Sequence, residues 1–132
     1  MGAQFKFVTT RFDNIDAEPK ADDYSGQCAV LAWSAQRLAA LGLTDELPLQ
    51  RAGASWYFNA TVFAEPYRFQ CGPALSTDPS AGSVWRLTVN AQRSVIDRLL
   101  GRRELTPDNA VLRIVMEWLQ RESDFADVTM QL

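Results

Sequence analysis

Phe5 and Phe7 alternate with Gln4, Lys6 and Val8, and Thr9 and Thr10 suit a pleated surface, so residues 4–12 read as a strand. The polar segment DNIDAEPKADDYS follows, with Pro19 inside it. From Gly26 to Leu41 the period changes. Cys28, Leu31, Ala35, Leu38 and Ala39 recur at spacings of three and four, which predicts an amphipathic helix. Ser25 suits its N-cap, Gly42 its left-handed stop, and Leu43 can reach back to Leu38 as the apolar contact of a Schellman motif. After the connection TDELPLQRAGA, Trp56, Phe58, Ala60 and Val62 fall on one face of a strand over 55–64, and Tyr57, Asn59 and Thr61 on the other. Glu65-Pro66 reads as a turn, and 67–71 as a hairpin partner with Tyr67, Phe69 and Cys71 on one side. GPALSTDPSAG reads as loop, and 83–90 as a strand with Trp85, Leu87 and Val89 facing one way.

Two helical patterns come next. Residues 94–100 carry Val95, Ile96, Leu99 and Leu100, with Gly101 as a stop. A longer helix opens at Thr106-Pro107-Asp108, with Thr106 as N-cap, and ends near Arg121–Ser123; Val111, Leu112, Val115, Trp118 and Leu119 give it a wide apolar face. Phe125–Leu132 alternates as a closing strand. The order β-α-β-β-β-α-α-β predicts an α+β, two-layer sandwich: a mainly antiparallel sheet of about five strands with helices on one face. The 132 residues carry no repeat or linker and fit one domain over 1–132, large enough to bury roughly two-thirds of its unfolded surface.

Composition narrows the chemistry. The chain has no histidine, which removes the commonest general base, metal ligand and orienting base of nucleophilic triads. G-x-S-x-G, Walker A, G-x-G-x-x-G and C-x-x-C motifs are missing, so no cofactor and no catalytic residue is implied. The net charge of −3 argues against nucleic acid as the main partner. Of 13 basic residues, 11 are arginine, the better residue for forked contacts to carboxylate or phosphate. Cys28 and Cys71 sit among apolar neighbours and read as buried thiols, with a single bridge the open alternative. The first residues carry no apolar leader, and the apolar run Cys28–Trp33 is too short to span a bilayer, so the expectation is a cytoplasmic protein without membrane contact.

Candidate sites are few. Asp13, Asp16, Asp22 and Asp23 lie in a loop whose spacing does not match a calcium loop; they could meet a protein partner, or simply be solvated beside the first helix. Arg98, Arg102 and Arg103, with Arg93 before them, form a basic cluster around the short helix that could take an anion or merely complement its C-terminus. Tyr57 and Tyr67 offer hydroxyls among aromatics that otherwise read as core.

The blocks GQCAVLAWSAQRLAALGL, SWYFNATVFA with YRFQCG, and VWRLTVNAQRSVIDRLLGR together resemble, in layout, small bacterial α+β proteins of unknown function, some of them similar to toxin-immunity proteins. That resemblance implies a non-enzymatic protein-interaction domain and transfers no functional residue. The alternative is a small-molecule binding domain with a pocket between sheet and helices. A homodimer is compatible with a closing strand at the sheet edge.

Overall fold

The computed structural model describes residues 2–12, 26–42, 49–78, 82–101 and 105–132. Within them the chain runs β1 (Ala3–Thr9), α1 (Gly26–Ala40), β2 (Gln50–Ala52), β3 (Ser55–Val62), β4 (Glu65–Cys71), β5 (Ser76–Asp78), β6 (Gly82–Ala91), α2 (Val95–Leu99), α3 (Ala110–Arg121) and β7 (Ala126–Gln131). The fold is α+β, as the pattern predicts. Every strand pairing is antiparallel, in the order β2-β3-β4-β6-β1-β7, with β5 on β6 beyond the end of β4. The short pieces β2 and β5 raise the strand count above five; both come from Gly- and Pro-containing stretches that read as loop.

The sheet's inner face is set by parity. Phe5 and Phe7, Phe58 and Val62, Phe69 and Cys71, and Leu87 and Val89 are all fully buried. They meet Val30, Leu31 and Leu38 of α1 and Val111, Leu112, Val115 and Leu119 of α3 in one contiguous cluster. Phe58 and Phe69, directly opposite in register, stack at 5.0 Å. A second aromatic group closes the end of the interior. Phe125 stacks on Phe7 at 4.8 Å, and the Trp33 ring lies 5.3 Å from Phe125 and 6.2 Å from Trp118. These side chains make up the interior between sheet and helices among the described residues.

Three local expectations change. The β3–β4 turn is Phe63-Ala64, not Glu65-Pro66, because Val62 pairs with Glu65 and the chain reverses in two residues. Both turn residues take positive φ, 53° and 65°, as a two-residue hairpin with right-handed strand twist demands. The α3 cap is Asn109, not Thr106. Its side-chain oxygen accepts from Val111 N at 2.8 Å and Leu112 N at 3.2 Å, and Thr106–Asn109 forms a preceding turn. Finally, α2 buries none of its residues. It is held by a reciprocal capping box, in which Ser94 Oγ accepts from Asp97 N and Asp97 Oδ2 from Ser94 N. Val95, Ile96 and Leu99 of this short helix, and Leu100 at its C-cap, stay exposed. Gly42 does take the left-handed stop after α1, at φ +69°; its expected partners Ser25 and Leu43 lie outside the described residues.

Candidate functional site

The residues between the buried positions form the sheet's other face. One row crosses six strands: Gln50, Tyr57, Gln70, Thr88, Gln4 and Gln131 are successive register partners. A second row is Asn59, Arg68 and Asn90, and a third is Arg86, Lys6 and Thr129. The outward positions of β1, β3, β4 and β6 carry Lys6, Arg68 and Arg86 and no carboxylate. In a chain of net charge −3 this is a segregated basic face. Lys6 and Arg86 stand directly opposite each other on β1 and β6, and among the described residues neither forms an ion pair. Like charges in that position oppose pairing of the strands.

Arg68 is the best-held cation on this face. Its Nε donates to Asn59 Oδ1 at 3.1 Å, and its guanidinium lies 4.2 Å from the centre of the Tyr57 ring. Gln92 Nε2 donates to the same Asn59 oxygen at 2.8 Å, and the Tyr57 hydroxyl donates to Gln50 at 3.0 Å. A cavity of about 640 Å³ opens beside Arg68, lined by Arg68, Gln70, Asn90, Gln92, Arg93 and Arg98 with small apolar contributions from Ala91 and Leu105. Arg93 Nη2 donates to the Asp97 carbonyl at 3.2 Å, which ties it to α2.

The structure separates the sequence candidates. Arg98 lines this cavity, while Arg102, Arg103, Asp13, Asp16, Asp22 and Asp23 lie outside the described residues. Tyr57 is on the polar face. Tyr67 is on the other side of the sheet, buried, its hydroxyl accepting from Asn109 Nδ2 at 3.2 Å beneath the start of α3. The two tyrosines cannot serve one site. Arg68, Asn59 and Gln92 are the contributors that sequence reading passed over; their signal is a polar residue at each outward position of an otherwise aromatic hairpin.

Other titratable groups have structural work. Glu122, at the end of α3, accepts from Arg11 Nη2 at 3.0 Å and pairs with Arg37 of α1, and Asp124 pairs with Arg11. The hydrogen bond from Arg11 holds the Glu122 carboxyl below its usual range. Cys28 and Cys71 are buried thiols without a disulfide; burial, reinforced by Cys28, pushes the Cys71 thiol up to about 12. The described residues contain no cluster of three metal-ligating side chains, and no helix among them is long and apolar enough to cross a membrane. Comparison with protein-family models, curated proteins and solved structures finds no match.

Proposed function

We propose that this chain is a non-enzymatic binding domain that recognises an acidic partner through the face of its sheet opposite α1 and α3. The observation that carries the reading is the Lys6–Arg86 pair: two cations set opposite each other, without a carboxylate on the outward positions of β1, β3, β4 and β6. Such a pair weakens the sheet, and an anion laid across it relieves the repulsion. The reading keeps the protein-interaction role that the sequence suggests. It differs in sign from an immunity-like role, which would use Asp13, Asp16, Asp22 and Asp23 against a basic surface and which rests on residues outside those described.

The test is an amide-resolved NMR titration with polyglutamate and, separately, polylysine at low salt. Polyglutamate is expected to shift the amides of β1, β4 and β6, and polylysine to leave them in place. Arg86→Gln should weaken the polyglutamate effect while raising unfolding stability by about 0.2–0.5 kcal/mol, since one like-charge contact is gone. Shifts with polylysine on this face, or none with either polymer, would overturn the reading.

A further inference from the structure

Resting on that binding reading, the geometry points to a more specific site. We infer that the cavity beside Arg68 binds a small phosphorylated polyol, its phosphate held by Arg68, Arg93 and Arg98. The three arginines come from a strand, a connection and a helix, so they line one cavity from separate elements. A planar carboxylate is satisfied by a single fork. A tetrahedral dianion offers oxygens in several directions and suits three donors that are not coplanar. Among the described residues Arg68 and Arg98 form no ion pair, and no carboxylate lines the cavity to compete with an anion.

The remaining lining describes the rest of the ligand. At about 640 Å³ the cavity is far larger than a bare phosphate and falls in the range of small-molecule sites. Gln70, Asn90 and Gln92 bring side-chain amides, each with both donors and an acceptor, which match hydroxyl groups. Among the described residues no aromatic ring lines it, and the Tyr57 ring is already covered by Arg68, so these residues offer a flat base nothing to stack on. A polar, hydroxylated body is favoured over a nucleotide. Arg68 is set before the ligand arrives, because Asn59 fixes its Nε and Tyr57 its plane.

The experiment is calorimetric and NMR titration of the full chain with glucose 6-phosphate, glucose, inorganic phosphate and succinate. Glucose 6-phosphate is expected to bind at least tenfold more tightly than inorganic phosphate, and glucose and succinate at least tenfold more weakly than glucose 6-phosphate. Arg98→Ala should lose at least tenfold in affinity. Arg68→Lys, which keeps the charge and loses the fork, should lose several-fold with an unchanged amide fingerprint elsewhere. Equal binding of phosphate and glucose 6-phosphate would reduce the site to an ion site and overturn the ligand class; succinate binding as tightly would overturn the phosphate. Binding that follows Lys6 and Arg86 but ignores Arg68 and Arg98 would sink this site and leave the binding face standing. Polyglutamate shifts without any small-anion binding would do the same, and silence from every anion would remove both.

Discussion

The Phe63-Ala64 turn places two side-chain-bearing residues in a conformation that glycine and asparagine prefer, and replacing Ala64 by glycine isolates the effect. Ala64 has φ 65°, where an L-residue is less stable by roughly 1–2 kcal/mol. Glycine removes that strain but adds freedom to the unfolded chain, which costs roughly 0.5–1 kcal/mol. The difference is a gain of about 0.5–1 kcal/mol, or a rise of about 2–4 °C in midpoint for a chain of this size. Phe63, which lines a shallow cavity with Leu41, Ile114 and Trp118, is retained. The converse variant is Gly42→Ala. Gly42 has φ +69°, and an added Cβ would meet nothing within 4 Å, so its whole cost comes from the backbone. It should lose about the same amount that Ala64→Gly gains. Urea unfolding followed by tryptophan fluorescence, with unchanged slope, reads both. A lower midpoint for Ala64→Gly, the outcome of glycine at any ordinary strand position, would refute the reasoning.

Three further outcomes are expected. Asn109→Ala leaves two amides at the start of α3 without their acceptor and Tyr67 without its donor; urea unfolding should show a loss of about 1–2 kcal/mol, and Asn109→Asp should recover most of the capping share. Glu122 has its carboxyl pKa lowered in the folded state, chiefly by the Arg11 hydrogen bond, so the unfolded chain takes up the proton first as pH falls. Its contribution is full above the usual carboxylate range and lost as pH drops through the lower, folded value; Glu122→Gln should flatten the acid limb of a stability–pH curve measured by urea unfolding, and an unchanged limb would count against it. Disulfide-exchange titration at pH 8 should leave Cys71 unmodified in the native protein and detect two thiols after unfolding, because burial keeps the Cys71 thiol protonated to about 12.

The layers and most elements were legible because period and parity are local. The alternation through Trp56, Phe58, Ala60 and Val62 and the three-and-four spacing through Leu31 and Leu38 each identify a buried face without knowledge of its partner. The spacing even separates Tyr57 from Tyr67. A two-residue hairpin pairs odd positions with even ones, so Tyr67 joins Ala60 on the inner face and Tyr57 remains outside. The α3 cap was missed because Thr106 and Asn109 are both good caps three residues apart, and Pro107 fits either arrangement near the helix start. The exposure of α2 depends on tertiary placement, which its own leucines do not encode. The basic face was beyond reach for a different reason. Lys6 and Arg86 are eighty positions apart and become neighbours only because β1 inserts between β6 and β7.

That insertion sets the order in which the molecule can be completed. β1, made before the other strands of this sheet, finds its two flanking strands only in β6 and β7. Throughout synthesis of the intervening hairpin, Phe5 and Phe7 lack the neighbours that later enclose them. Closure must span most of the chain's length, so assembly should be slow for a protein of this size and sensitive to anything that holds back the segment from β6 onward.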